Sequence, residues 1–295
     1  MTFFVHSQSV SFLNTPSDAR LLGMANAGYA MAGTPFVTQY NSAGLLHASD
    51  SAHAFGASLG SFQPESLDNT MVNIGGYYRL DKKSGMSFGM GYNTFKLAPG
   101  MDENGSDLGK LTPQEYVFAM GYAYKLLRSF SIAANLRFIA SDLGGGTQAS
   151  TVSMDVNMMY VLKNLSFGAG ISNIGSKMDY GNGKYDLPTR LKAGGSYRLN
   201  LATAHSLRGS GEIDYQLQPS DFSGVMAGLG AEYTFKRLAL RGGYHIGNEQ
   251  KTTPSYISVG GGWIFSKSSF DFAYILGNTV MKSSFLISMK LIIDD

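Results

Sequence analysis

From about residue 51 to the C-terminus the sequence alternates between apolar and small or polar residues, one segment after another. In the stretch 86–93, Met86, Phe88, Met90 and Tyr92 share one parity, and Ser87, Gly89, Gly91 and Asn93 the other. Residues 115–126 set Tyr116, Phe118, Met120, Tyr122, Tyr124 and Leu126 against Val117, Ala119, Gly121, Ala123 and Lys125. Residues 151–161 set Val152, Met154, Val156, Met158 and Tyr160 against Ser153, Asp155, Asn157 and Met159. Successive side chains of a strand point to opposite faces, so period two predicts strands with one apolar and one polar face. About fourteen follow: 51–62, 71–80, 84–95, 114–126, 128–141, 149–162, 164–174, 188–199, 204–216, 222–235, 237–247, 254–265, 268–276 and 283–293. Most run about 10–14 residues, where soluble strands cluster near ~5–6. A tilted strand crossing a bilayer needs ~9–11.

The polar face separates a membrane barrel from a soluble sandwich. A solvent-facing sheet carries Lys, Glu and Asp and is poor in Gly. Here that face is mostly Gly, Ser, Ala and Asn, in a chain with 37 Gly and only 15% charged residues. Its charges are Arg79, Arg137, Asp155, Arg190, Lys192, Arg208, Glu212, Asp214, Glu232, Arg241, Asp271 and Lys290. They share the small-residue parity, which predicts that they line a lumen while the apolar parity meets lipid. A soluble closed sheet is the rival, and it would expose that apolar face as an aggregation surface. No run reaches the ~18 apolar residues of a membrane helix. The absence of Cys excludes a disulfide framework, a Cys-ligated zinc and a thiol nucleophile, and a net charge of +2 gives no drive toward nucleic acid.

Connection lengths alternate as well. Those after the even segments are short (81–83, 127, 163, 200–203, 236, 267), and those after the odd segments are longer, such as 96–113, 142–148 and 175–187. Outer-membrane barrels have an even strand number, short periplasmic turns and longer outer loops. The parity therefore predicts an outer-membrane barrel over 51–295 with both termini periplasmic.

Residues 10–50 do not alternate. Pro16, Ser17 and Asp18 precede apolar residues at helical spacing, predicting a helix start capped by Ser17 or Asp18, and a second short helical stretch fits 37–46. The segment is rich in small residues (Gly23, Ala25, Ala27, Gly28, Ala30), suiting a plug folded into the lumen, without which a wide barrel is a pore. A periplasmic extension is the alternative. Residues 1–9, with Phe3-Phe4-Val5 before His6-Ser7, read as the end of a signal peptide.

Several motifs resemble one family. Ser11 to Ala30 (SFLNTPSDARLLGMANAGYA) resembles the N-terminal signature of the PorV/PorQ family, and Tyr40 to Leu45 (YNSAGL) resembles an NPAGL element shared with FadL-type channels. Ser42 stands where the proline is usual. Ser172 to Gly175, Leu187 to Leu199 and Gly230 to Gly247 also resemble the family. The resemblance implies an all-β, FadL-like barrel of fourteen antiparallel strands with a small N-terminal plug in a Gram-negative outer membrane. Its plug motif falls on Asp18, Arg20, Gly23, Asn41 and Gly44. It further implies an accessory role in type IX secretion or surface-protein assembly, with translocon proteins, attachment-complex proteins and secreted cargo as partners. A FadL-like passive channel holding a small hydrophobic ligand in its lumen is the alternative function, and a purely structural barrel the third.

Enzymatic patterns fit poorly. Gly56-Ala-Ser58-Leu-Gly60 matches GxSxG, but that chemistry needs a strand-to-helix turn and a nearby histidine, whereas Ser58 lies on the lumen parity and His53 on the other. Gly168, Gly170, Gly228 and Gly230 sit in strands rather than in a βα turn. The five His have no ligand spacing, so no metal or other cofactor is expected. Asp179, Asn182 and Asp186 could hold calcium, although a solvated turn explains them as well. Arg190 and Lys192 on one strand face Glu212 and Asp214 on the next, and charge neutralisation in a narrow interior is the simplest role for them. Aromatics near strand ends, among them Tyr77, Tyr78, Tyr124, Tyr197, Tyr233, Trp263 and Phe265, read as interfacial girdles against outer-membrane lipid.

Overall fold

A computed structural model describes residues 10–48, 53–62, 69–95, 98–101, 107–181, 183–248, 253–277, 281 and 283–293. Fourteen antiparallel strands close into one barrel. They are β1 His53–Ser61, β2 Asn69–Arg79, β3 Ser84–Phe95, β4 Gln114–Leu127, β5 Phe130–Gly144, β6 Thr147–Leu162 and β7 Leu165–Gly175. The second half is β8 Arg190–Ala202, β9 His205–Gln216, β10 Gly224–Phe235, β11 Leu238–Ile246, β12 Tyr256–Ile264, β13 Ser268–Leu276 and β14 Phe285–Ile293. Each pairs with its neighbour in sequence, and β1 closes the ring on β14 from His53 opposite Ile293 to Ser61 opposite Phe285. Closure pairs both edges of the sheet, so every strand's backbone is satisfied without water.

The two parities behave as the alternation requires. Leu136 and Leu240 each leave 66% of their surface exposed, in a belt of Leu, Phe, Met and Ile that runs around the wall. In water each such side chain would forfeit ~1.5–3 kcal/mol of burial. Against hydrocarbon it costs nothing. The opposite parity is buried, as with Asn135, Asp155, Glu212 and Arg241.

Several local expectations are corrected. Tyr77 belongs to no girdle: it is fully buried on the inner face and packs with Leu45, Leu46 and Met159. No outer loop spans 142–148, because β5 runs on to Gly144 and β6 starts at Thr147, leaving a turn in which Gly144, Gly145 and Gly146 all take positive φ. A β carbon is disfavoured in that region, which is why glycine fills it. Within 96–113 a short hairpin pairs Ala98–Met101 with Asp107–Leu111, and within 175–187 another pairs Met178–Asp179 with Lys184–Tyr185. Asp179 contacts Lys184 at 3.1 Å and Asp186 contacts Lys177 at 3.0 Å, so lysines engage both carboxylates, while Asn182 lies outside the described residues.

Residues 10–48 are mostly buried, and their backbone meets inner-face side chains of the strands such as Ser131, Ser258 and Ser288. Their helices are short: α1 covers only Ala19–Leu22, and the second helical stretch is a 3₁₀ turn at Ser42–His47 rather than a helix over 37–46. Past the C-cap Gly23 of α1, Ala25 and Asn26 take positive φ. Leu21, Met24, Met31, Phe36 and Tyr40 form the segment's own small core.

Candidate functional site

The interior, where this irregular segment meets the inner face of the barrel, gathers buried charge, from Asp18 and Arg137 to Glu232 and Arg241. A non-repetitive backbone leaves many amide groups without a ladder partner, and burying them unpaired is costly. The wall supplies partners. Ser258 Oγ accepts from Ala25 N at 2.9 Å and Ser288 Oγ from Ala19 N at 3.2 Å. Ser166 Oγ donates to Ala30 O at 2.7 Å and Ser131 Oγ to Ala43 O at 2.9 Å, and Ser210 Oγ donates to Ala27 O. Arg79 donates to Leu45 O and Ala48 O, Lys125 to Leu46 O, Arg137 to Thr38 O and Lys290 to Gly33 O. The inner-face serines and cations thus act as hydrogen-bonding sockets for a chain that could not be buried otherwise.

The residues of the plug motif each hold one joint. Asp18 caps α1, accepting from Arg20 N at 2.9 Å and from the Thr34 hydroxyl at 2.6 Å. Burial raises its carboxyl above the ordinary value and neighbouring Asp271 adds to this, while Thr34 and Arg20 pull the other way. Arg20 reaches Glu232 with two parallel bonds, Nε at 2.7 Å and Nη2 at 2.6 Å. Gly23 passes 3.2 Å from Gly260 Cα when given a β carbon, so the two glycines let helix and wall touch. Asn41 caps the 3₁₀ turn through Ala43 N and donates from Nδ2 to Tyr29 O and Met158 O. Gly44 sits against the Met159 thioether. Ser42, in the place of the family's proline, hydrogen-bonds Ser87 at 3.2 Å.

The lumen charges fall into three groups. In the first, Glu232 is shared by Arg20, by Arg241 Nε at 2.8 Å and by Arg208 at 3.8 Å. Arg241 Nη1 also lies 2.7 Å from Asp271 Oδ1, a charge contact without hydrogen-bond alignment. In the second, Lys192 bridges Glu212 at 3.0 Å and Asp214 at 3.4 Å, Arg190 lies 3.8 Å from Asp214, and Glu212 accepts from Tyr29 N at 2.8 Å. In the third, Arg137 pairs with Asp155 at 2.7 Å and donates to Asn173 Oδ1 at 2.9 Å. Asn173 has φ 59° and its amide donates to Asp155, where the pairing of β6 with β7 shifts register. These carboxylates and cations therefore do more than neutralise one another: they grip the inner segment and a strand bulge.

A cavity of about 220 Å³ opens at the short-turn end, between the first charge group and the turns after β8, β10 and β12. Two further cavities are near 30 Å³ each. Sequence reasoning did not single out Thr34, Ser131, Ser166, Ser210, Ser258 or Asn173. Serine at an inward position between outward apolar residues, as at Ser131, Ser166 and Ser258, was the available signal, since a small hydroxyl there can reach a backbone but fills little space. Ser58 of the GxSxG match accepts from Asn73 at 3.2 Å, and His53 stacks on Tyr78 on the opposite face at 3.9 Å. Among the described residues no three His, Asp or Glu side chains converge as metal ligands.

Comparison with known proteins gives one family and one fold. The family model described as type IX secretion system protein PorV matches residues 4–222. Curated protein sequences give no match. Among solved structures, the chain is similar to the CymD monoaromatic hydrocarbon channel, with TM-score 0.64 and 14% identity, covering 95% of this chain and 98% of that one. It is similar to the Ralstonia pickettii toluene transporter TbuX at TM-score 0.61 and 15% identity, over 92% of this chain and 95% of the other. A Pseudomonas aeruginosa FadL homologue gives TM-score 0.57 at 8% identity, over 94% and 98%. At these identities the likeness establishes a shared barrel fold.

Proposed function

The chain belongs to the PorV family of type IX secretion system proteins and is a bacterial outer-membrane β-barrel, and from that premise we propose that it is a non-enzymatic accessory in type IX secretion or surface-protein assembly, its lumen closed by residues 10–48. The family match over 4–222 carries the secretion role. The plug role is supported by the joints along the segment, from Ala19 on Ser288 to Lys125 on Leu46. A barrel so filled works through its rims and outer face rather than as an aqueous pore. Short turns at the end shared by His53 and Ile293 support placing both ends of the barrel wall on the periplasmic side.

The test is affinity isolation of the tagged full chain from native outer membranes in mild detergent. Recovery of a second outer-membrane barrel or of secreted cargo is expected, and recovery of the chain alone would refute the role. A tag after Ile293 should be labelled only in permeabilised cells; labelling on intact cells overturns the orientation.

A second reading, a passive path for small hydrophobic molecules, is supported by the fold shared with CymD and TbuX. Eight ionisable residues in the lining of the 220 Å³ cavity weigh against it, because an apolar guest there would strip water from charges. Toluene uptake into vesicles holding the purified chain decides the point: a rate above that of protein-free vesicles would establish the path.

A further inference from the structure

The 220 Å³ cavity at the short-turn end is far larger than the ~10–15 Å³ that one water needs. Its lining is electrostatically unbalanced. Arg20, Arg198, Arg208, Arg241 and Lys290 contribute five cations, and Asp18, Glu232 and Asp271 three carboxylates, an excess of two positive charges. The carboxylates are already committed. Glu232 accepts three bonds from Arg20 and Arg241, Asp271 faces Arg241, and Asp18 is held by Thr34 and Arg20 N. Arg208 lies 3.8 Å from Glu232 and donates from Nη1 to Ser196 Oγ at a long 3.4 Å, while its Nε has no hydrogen-bond acceptor. Arg198 has no carboxylate within 4 Å among the described residues.

Hydroxyls of Ser206, Thr234, Ser268 and Ser269 line the same space, and Phe36, Ile264 and Phe265 give it an apolar side. The adjoining turns carry Lys236, Arg237 and Lys267, so the approach to the mouth is also positive. Planar guanidinium groups with spare donors match an oxyanion that accepts several bonds at once. A phosphate monoester carries ~1.5–2 negative charges near neutral pH, close to the excess, and its carbon skeleton would find the apolar side.

We infer that this cavity is a binding site for a small phosphate monoester entering from the short-turn end, held by Arg198 and Arg208 with the surrounding hydroxyls. The inference rests on the cavity alone and is independent of the secretion role.

Calorimetry on the full chain in neutral detergent at constant ionic strength tests it, with phenyl phosphate, inorganic phosphate and benzyl alcohol as probes. Saturable heat is expected for both phosphates, tighter for phenyl phosphate by severalfold, and none for benzyl alcohol. Arg198→Gln/Arg208→Gln should weaken phenyl phosphate at least tenfold while its heat-modifiable migration on gels, the signature of a folded barrel, is unchanged. Absence of saturable phosphate heat in the unmodified chain overturns the site. Equal affinity in a folded double variant, or benzyl alcohol binding as tightly as phenyl phosphate, overturns it too.

Discussion

Arg20, one residue into a four-residue helix of the inner segment, closes on both carboxylate oxygens of Glu232 near the C-terminal end of β10, at 2.7 and 2.6 Å. The bond spans 212 positions of sequence and fixes the segment to the wall. Glu232 is 5% exposed, and it keeps Arg241 as its other close partner. Arg20→Ala leaves that carboxylate with one strong donor instead of two. Breaking a buried pair costs ~3–5 kcal/mol, and the exposure of Arg20, about a quarter, places this loss nearer 2–3 kcal/mol. Urea unfolding in detergent measures it. The pair Arg20→Ala and Glu232→Gln should couple by more than ~1 kcal/mol in a double-mutant cycle; additivity would show that the two residues do not act together.

Glycines on the two faces of the wall should respond oppositely. A β carbon on inward Gly243 would sit 2.5 Å from Met24 C and 2.6 Å from Ala25 N, both backbone. Gly243→Ala therefore has to displace the inner segment, at a cost of ~1–3 kcal/mol. On the outer face Gly209 meets nothing within 4 Å, and Gly209→Ala is expected to stay within ~0.5 kcal/mol. Proteolytic clipping of residues 10–48 should quicken only in Gly243→Ala, and equal rates in both variants would show that the segment is not seated there.

Arg137 serves the wall and the inner segment together, through Asp155 at 2.7 Å, Asn173 Oδ1 at 2.9 Å and Thr38 O at 2.6 Å. Arg137→Met strands a carboxylate that is 1% exposed, and ~3–5 kcal/mol of stability should go with it. Adding Asp155→Asn removes the stranded charge and should recover part of the loss. If the double variant is as unstable as the sum of the two single changes, the pair contributes nothing jointly.

His47, at the end of the 3₁₀ turn, is held neutral. Burial lowers its pKa from 6.5 to about 4, and Lys125 and Arg79 reinforce the shift. Its Nε2 lies 2.9 Å from Ser131 Oγ. An unfolded chain takes up this proton near 6.5 and the folded one only near 4, so between those values the unfolded state binds more protons. Stability is then full above about pH 6.5 and declines as the pH falls toward 4. His47→Gln should lose less than the parent chain between pH 7.5 and 4.5, read as the shift in urea midpoint. Identical shifts would mean that His47 titrates normally.

The wall was legible because lipid and lumen impose opposite demands on alternate residues. Fourteen segments and most of their ends could be drawn from that parity, from β3 at 84–95 to β14 ending at 293. Tyr77 misled because an aromatic near a strand end looks the same whichever face it takes, and its parity, rather than its type, put it inside. Three glycines at 144–146 mark a reversal without stating its length, so local sequence does not separate a tight turn there from a loop.

The inner segment was legible only as an exception to the rule. Small residues and the Asp18-Ala19-Arg20 motif marked it, yet neither its path nor its partners follow from local sequence. Asp18 and Asn41 act where they stand, capping turns two residues ahead, and such roles can be read locally. Arg20 meeting Glu232, Tyr29 meeting Glu212 and Lys290 meeting Gly33 O join residues more than 180 positions apart. By itself the sequence determined a two-faced wall, because period two is fixed by strand geometry. Which lumen charge faces which carbonyl, and which guanidinium groups line the mouth, was decided by closure of the barrel, because closure alone sets the distances across it.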